Sequence, residues 1–288
     1  MEPDQKLESI VKNLKNALSK KLEDWNSLKE DLKKRKLVNY EEYIKEVSAD
    51  EAGKTLAVFK KLEERFGYGR MYSDEGRTGG SPVQFKRVMD LSRTEGNVCA
   101  MLDSIADAGY TLNEYKEGWT TIRYVTEKDI AFFKKLLKDD MYKKAYETFK
   151  ILKRTMGYKE ASCPSNRRTE IENLIAITEM GGDALGAICL LSNEGYETDK
   201  KTGLTKDHVE TIGTIIKSVL QETDSTLYLY RKLKPELFKE YFSSISQENK
   251  KTAVEKILGS EYQNEDIIRW LDEAYPDIVR EAGFNPKA

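Results

Sequence analysis

The sequence predicts a mainly α-helical protein that contains a tandem of two related helical repeats. Hydrophobic residues make up 39% and charged residues 34% of the 288 residues, with only six prolines, and such a composition favours helices. An apolar helix ending in Gly-Tyr occurs twice, as "GNVCAMLDSIADAGY" (96–110) and "GDALGAICLLSNEGY" (182–196). A second pair, "FKKLEERFGY" (59–68) and "FKILKRTMGY" (149–158), precedes them in the same order. Two ordered matches in each half predict a duplication of about 80 residues.

The overall charge and the cysteines restrict the class of protein. A net charge of −2 provides no global attraction to nucleic acid or anionic lipid, so such binding needs a local basic patch. The N-terminus lacks the order of a signal peptide, and no apolar run approaches the roughly 20 residues of a membrane span. Cys99, Cys163 and Cys189 are far apart, and the first and last lie in apolar stretches that predict buried thiols. We therefore expect a cytoplasmic protein that does not bind membranes.

The N-terminal segment (residues 1–47) is predicted to form one long amphipathic helix with a connector. Its apolar residues follow an a/d heptad pattern over roughly four heptads. These residues are Leu7, Val11, Leu14, Leu18, Trp25, Leu28 and Leu32. The pattern fits a helix laid along the protein's own core and a dimerising coiled coil equally well, because Lys21 and Trp25 are awkward in a two-stranded seam. The stripe is wider than a lone surface helix needs, so we expect a homodimer through this helix. The "KKRK" run (33–36) favours a solvated helix end over a nucleic-acid patch.

The first repeat is predicted over residues 48–139. Ser48 and Glu51 have capping-box spacing, and Gly67 ends the helix that follows. A polar loop, a short helix and the quoted helix come next. The segment "TLNEYKEGWTTIRYV" then predicts a short β-hairpin, and Thr126 is a suitable N-cap for the closing helix.

The second repeat (140–224) and the C-terminal segment (225–288) complete the predicted organisation. The second repeat has the same element order, but "ETDKKTG" is too short for two strands, so we expect a shortened wing before the N-cap Thr205. The C-terminal segment is predicted to be a helical cap. Pro235 suits a first helical turn, Gly259 a helix end and Asn264 an N-cap.

The first repeat resembles the winged-helix (helix-turn-helix) superfamily. The resemblance rests on a short helix (85–91), a tight turn (93–96), a second helix (98–108) and a wing (110–125). It covers most of the first repeat and less of the second, and it rests on element order rather than on a specific motif. It implies a helix-turn-helix topology, which is commonly used to bind DNA.

The charges restrict how DNA could be bound. The second helix of the motif contains Asp103 and Asp107 and no cation, so it would be repelled by phosphate and is expected to be a structural spine. DNA binding would have to use wing and loop cations instead. The candidates are Lys116, Arg123, Arg77, Arg167, Arg168, Lys200 and Lys201. Arg77 and the Arg167–Arg168 pair precede helix N-termini, where they could help hold a phosphate. Ordinary solvated loop charges are the alternative interpretation.

No catalytic, metal or cofactor motif emerges from the sequence. "GRTGGS" is not followed by GK[ST], so it is not a phosphate loop. His208 is the only histidine, so any Ser-His-Asp or Cys-His arrangement would depend on this one residue, and a multi-histidine metal site is excluded. Its place on a first helical turn predicts a surface residue. Tyr228 and Tyr230 lie beside cations and could stack on single-stranded nucleic acid, but their i,i+2 spacing predicts that at least one is in the core.

Together these observations predict a non-enzymatic DNA-binding protein of regulatory or architectural type, acting in transcription regulation. Duplex DNA is favoured over RNA as the partner, and neither a cofactor nor a metal is expected. The alternative is a protein-interaction or self-assembly module, including one that coats RNA as a nucleocapsid does. Steep salt-dependent binding to duplex DNA would favour the first class, and assembly without nucleic acid the second.

Overall fold

The structure is a computed structural model that describes residues 3–35, 40–69, 82–117, 120–158, 167–198, 203–221 and 224–283. These residues are mainly helical, as the sequence predicts. The chain divides into two compact units, an N-terminal unit (Met1–Lys143) and a C-terminal unit (Lys144–Ala288). The predicted N-terminal helix and first repeat therefore share one compact unit, and the second repeat shares the other with the C-terminal segment.

The N-terminal unit consists of helices and one pair of strands. In chain order they are α1 (Pro3–Lys34), α2 (Tyr40–Ile44), α3 (Ala49–Phe66), α4 (Pro82–Ser92), α5 (Val98–Asp107), β1 (Asn113–Glu117), β2 (Thr120–Tyr124) and α6 (Glu127–Leu137), followed by a 3-10 turn at Lys138–Asp140. The two strands are antiparallel, with Asn113 opposite Tyr124 and Glu117 opposite Thr120. The helices α3, α4, α5 and α6 pack around a shared core.

The C-terminal half of α1 packs along α3 in the opposite direction. Lys21 forms an ion pair with Asp50 near the start of α3, whereas Arg35 pairs with Glu63 near its end. Between these points Leu28 and Leu32 are completely buried. This half of α1 is therefore core, which is one of the two interpretations that the heptad pattern allows.

The ends of α3 follow the local signals in the sequence. The Ser48 hydroxyl accepts from the Glu51 N–H, and the Glu51 carboxylate accepts from the Ser48 N–H at 2.9 Å, so the predicted capping box is present. Gly67 ends the helix at φ 64°, a left-handed conformation that glycine adopts without a Cβ clash. Tyr68, which follows, is fully buried.

The secondary-structure elements in the described residues of the C-terminal unit are all helices. Its elements are α7 (Met141–Thr155), which begins just before the unit boundary, α8 (Arg167–Glu179), α9 (Gly182–Asn193), α10 (Lys206–Ile215) with a π-helical extension at Ile216–Leu220, α11 (Ser225–Lys232), α12 (Pro235–Ser244), α13 (Gln247–Leu258), α14 (Glu265–Ala274) and α15 (Pro276–Glu281). Part of the segment between Tyr196 and Thr205 lies outside the described residues, so the expectation that it holds no hairpin stays a prediction.

Helix α9 is the centre of the C-terminal unit. Ala187, Ile188 and Cys189 are completely buried, and α10, α11 and α12 all contact the helix. A central helix of this kind has no polar face, because apolar neighbours surround it. The predicted caps of the last helices are present as well: Pro235 is in the first turn of α12, and the Asn264 side chain accepts from the Ile267 N–H at 3.2 Å.

No single helix in the described part of the chain is long and apolar enough to cross a membrane. Helices α8 and α9 reach that length and apolarity only when they are taken together as a bent pair.

Candidate functional site

The structure describes the side chain of Arg123 among the predicted DNA-contacting residues. Its Nε donates to Glu114 Oε2 at 3.1 Å across the two strands, and Nη1 donates to the Phe66 carbonyl oxygen at 3.3 Å. Arg123 therefore ties the strand pair to the C-terminal end of α3. These contacts use Nε and Nη1 of a side chain that is 38% exposed.

The other predicted cations lie outside what the structure describes. Arg77, Lys200 and Lys201 are among residues whose placement is not described, and for Lys116, Arg167 and Arg168 only the backbone, in β1 and α8, is described. Their role in DNA binding stays a prediction.

Helix α5, which the sequence analysis predicted as the second helix of a winged-helix-like motif, packs its apolar side against the protein. Val98, Met101, Leu102 and Ile105 are its buried residues. Its acidic residues are engaged by cations of α3, because Lys61 pairs with Asp103 at 3.1 Å and Arg65 pairs with both Asp103 and Asp107. These contacts fit the predicted role of a structural spine and leave α5 unsuited to reading DNA bases.

The exposed fractions of the side chains test the predictions made for the tyrosines and the cysteines. Tyr230 is 1% exposed, and its hydroxyl oxygen accepts from the Asn264 N–H at 2.7 Å, so it belongs to the core. Cys189 is buried, as expected, whereas Cys99 is only half-buried and the prediction of a buried thiol was wrong there. Burial raises the pKa of both thiols, that of Cys189 to about 12, so neither is a thiolate nucleophile at neutral pH.

A buried polar cluster joins three segments of the N-terminal unit. Gln84 on α4 is completely buried, and its amide forms two hydrogen bonds with the Val125 backbone, donating to the carbonyl at 2.8 Å and accepting from the N–H at 2.9 Å. The Tyr68 hydroxyl donates to the same amide oxygen at 3.5 Å. Arg87, one turn further along α4, also donates to the Val125 carbonyl at 2.9 Å.

The C-terminal unit contains a cluster of the same design. Glu170 on α8 is 3% exposed and accepts from the Tyr158 hydroxyl at 2.9 Å and from the Leu204 N–H at 3.3 Å. Asn173, one turn along α8, donates to the Leu204 carbonyl at 2.7 Å. Tyr158 follows the Gly-Tyr pattern as Tyr68 does, and burial together with the Glu170 carboxylate raises its pKa, so the hydroxyl remains a donor.

Both clusters lead directly into an N-cap threonine. Thr126 follows Val125, and its N–H donates to Asp129 Oδ2 at 2.7 Å; the Tyr110 hydroxyl donates to the other oxygen of Asp129. In the C-terminal unit the Thr205 N–H donates to His208 Nδ1 at 3.1 Å. Tyr196, which corresponds to Tyr110 in the repeated Gly-Tyr helices, packs edge-on against the His208 ring, with 5.6 Å between the ring centroids.

Sequence reasoning missed Gln84 and Glu170 and placed His208 wrongly. His208 is 7% exposed, so the prediction of a surface residue was wrong; its ring takes the place that Asp129 takes in the other unit and lies under Tyr196. A signal for the two buried polar residues was present, since "QFKRV" (84–88) and "EIENL" (170–174) place a polar residue at the same point of two short helices.

Lowering the pH is expected to destabilise the C-terminal unit through His208. Burial lowers the pKa of His208 from its ordinary 6.5, although the Asp207 carboxylate acts in the opposite direction. Protonation of Nδ1 would also remove the acceptor for the Thr205 N–H. Stability is therefore complete above the unfolded-state pKa and is lost as the pH falls through the lowered folded-state value, at no more than about 1.4 kcal/mol per pH unit.

The measurement is urea unfolding between pH 7.5 and pH 5 for the wild type and for His208→Asp. The aspartate gives Thr205 a carboxylate acceptor of the kind that Asp129 gives Thr126 in the N-terminal unit. The free energy of unfolding of the wild type is expected to fall relative to that of the variant as the pH decreases. Parallel profiles for the two proteins would contradict this role of His208.

Two of the cavities in the described part of the N-terminal unit lie beside α3 and α4. One of about 340 Å³ lies between α3 and the start of α5 and includes Lys54, Asn97 and Cys99 in its lining. The other, of about 570 Å³, lies between α4 and α6, and its acids Asp90 and Glu127 are paired with Lys134 and Arg87. Within the described residues no group of three or more His, Cys, Asp or Glu side chains could hold a metal ion.

The N-terminal half of α1 presents an apolar face that its own unit leaves uncovered. Leu18 is 65% and Leu22 is 61% exposed, although they lie on the side of α1 that carries the buried Leu28 and Leu32. Lys12, Lys15 and Lys20 are also exposed. We call the side of residues 12–22 that carries Leu18 and Leu22 the open face of α1.

Comparison of the chain with models of protein families, with curated proteins and with solved structures found no match.

Proposed function

We propose that this protein is a non-enzymatic interaction protein that self-associates through α1 and uses two related helical repeats as its scaffold. One observation carries the proposal: the apolar side of α1 is completely buried at Leu28 and Leu32 but about two-thirds exposed at Leu18 and Leu22. Exposed leucines at i,i+4 on a continuous stripe are typical of a surface that a partner covers. This proposal corresponds to the assembly alternative and includes the expected homodimer.

The scaffold part of the proposal is supported by the matched polar clusters. Each repeat joins a Gly-Tyr tyrosine, a buried polar residue on the next helix and the backbone before an N-cap threonine. Two unrelated helical segments have no physical reason to arrive at the same four-part arrangement. We therefore assign a common origin to the two repeats, with the strand pair β1–β2 in the position of a wing in the first.

Regulatory DNA binding remains a prediction that the described contacts do not favour. Arg123 is engaged by Glu114 and the Phe66 carbonyl, and α5 presents paired acids. Steep salt-dependent binding of a labelled DNA duplex by the wild type, weakened by Lys116→Gln, would favour DNA binding over self-association as the function of this protein.

The test of self-association is light scattering of the full chain over a range of concentrations. Wild-type protein is expected to be a dimer, and Leu18→Lys/Leu22→Lys is expected to raise the dimer dissociation constant at least a hundredfold, because four charges enter the apolar contact. Asn16→Lys/Ser19→Lys adds the same charge at exposed positions off the stripe and should leave the dimer intact. A wild-type monomer at all concentrations, or equal weakening by both double variants, would overturn the proposal.

A further inference from the structure

The open face of α1 lies beyond the N-terminal end of α3, which covers the rest of the apolar side of α1. Lys21 pairs with Asp50 in the first turn of α3, and Asp24 lies so close to Gly53 that a Cβ there would be 2.7 Å from the carboxylate oxygen. From this level onward α3 runs antiparallel along α1 and covers its apolar side. Toward the N-terminus α1 continues with Leu18 and Leu22 exposed, so a further helix could occupy the same groove in line with α3.

Charges along α1 are separated in a way that suits a second copy. Acidic residues occur at positions 2, 4 and 8 around one lysine at position 6, whereas positions 12, 15, 20 and 21 are lysines with no acid among them. An antiparallel copy sets the acidic end of one helix beside the basic stretch of the other. A parallel copy sets like charges side by side, which costs free energy in a two-stranded coil.

The heptad register of the sequence makes the antiparallel pairing specific. When position 11 of one helix is opposite position 14 of the other, position 7 is opposite position 18 and position 4 is opposite position 21. This register pairs the apolar positions 7 with 18 and 11 with 14, and it keeps the two Lys21 side chains, each paired with Asp50 of its own chain, at opposite ends of the seam. A parallel pairing would instead set two Lys21 side chains against each other at the same level.

Steric exclusion supports the same orientation. In each copy α3 occupies the apolar side of α1 from about Asp24 onward. A parallel pair would bring both α3 helices to the same end of the shared seam, whereas an antiparallel pair places them at opposite ends. We infer that two copies of this chain pair through residues 3–22 of α1 as an antiparallel two-stranded coiled coil; this inference rests on the proposed self-association.

The test is the distance between spin labels in the dimer, measured by double electron–electron resonance. Labels are placed at Asn13→Cys or at Asn26→Cys, both at exposed positions, in a chain with Cys99, Cys163 and Cys189 replaced by serine or alanine. With a rise of 1.5 Å per residue, the antiparallel register separates the two labels at position 26 by about 40 Å and leaves those at position 13 within about 25 Å.

The outcomes separate the inference from the proposed function. A dimer with the long distance at position 26 and the short one at position 13 supports the antiparallel coil. A dimer with short distances at both positions is parallel, which overturns the inference and leaves self-association standing. A monomeric wild-type chain overturns both.

Discussion

Replacing Arg35 with methionine is expected to lower the free energy of unfolding of the N-terminal unit by about 3 kcal/mol. Arg35 is 3% exposed, and its guanidinium pairs with Asp31 at 2.5 Å and with Glu63 at 2.7 Å. It also donates to the carbonyl oxygens of Tyr68 and Gly69 at 3.0 and 3.1 Å. Methionine fills much of the space but leaves a largely buried Asp31 carboxylate and two carbonyls without their donor, and that desolvation penalty dominates the loss.

The matched control for this prediction is Arg93→Met. Arg93 is also paired with a carboxylate, Glu51 at 2.7 Å, but its side chain is 44% exposed, so water can replace the lost contact and the cost is expected to stay below about 1 kcal/mol. Urea unfolding followed by circular dichroism measures both. Equal losses for the two variants would contradict the importance assigned to burial at Arg35.

Replacing Glu170 with leucine is expected to cost about 3 kcal/mol, whereas Glu170→Gln is expected to stay within about 1 kcal/mol of the wild type. Leucine removes the acceptor for the Tyr158 hydroxyl and the Leu204 N–H, and both donors are then left unsatisfied in the core. Glutamine keeps an acceptor oxygen, and its amide group can donate to the Leu204 carbonyl as Gln84 does to the Val125 carbonyl.

The Gln84 cluster supplies the corresponding experiment in the N-terminal unit. Gln84→Leu is expected to cost a similar amount, since the Val125 N–H and the Tyr68 hydroxyl lose their acceptor. Thermal unfolding of all three variants measures the effect. Tolerance of leucine at either position would show that the polar cluster is dispensable and would remove the main support for the common origin of the repeats.

Local signals allowed several helix ends to be predicted from the sequence. The capping box of Ser48 and Glu51, the left-handed Gly67 and the N-cap Asn264 depend on residues within a few positions of each other. The geometry of such motifs is determined by short-range backbone sterics and hydrogen bonding. These capping motifs can therefore be predicted without knowledge of the rest of the fold.

The candidate site depended on contacts between residues far apart in the chain. His208 was predicted to be exposed because its own helix turn is polar, but Tyr196 covers it. Arg123 was predicted to contact phosphate, and its hydrogen bond to the Phe66 carbonyl, 57 positions away in sequence, is a contact that the sequence did not predict. Nothing in the residues next to either side chain encodes such partners.

The sequence by itself determined the helical class, the repeated Gly-Tyr helices and the apolar stripe of α1, because periodicity and caps are local properties. Only the tertiary structure decided which part of that stripe is core and which is surface. Leu28 and Leu32 are buried and Leu18 and Leu22 are exposed, although Leu18, Leu28 and Leu32 follow one heptad pattern on one helix and Leu22 lies beside it. The difference arises because α3 begins at Ala49 and runs back along α1 only as far as Lys21, and the place where one helix ends against another is set by packing, not by the pattern of either.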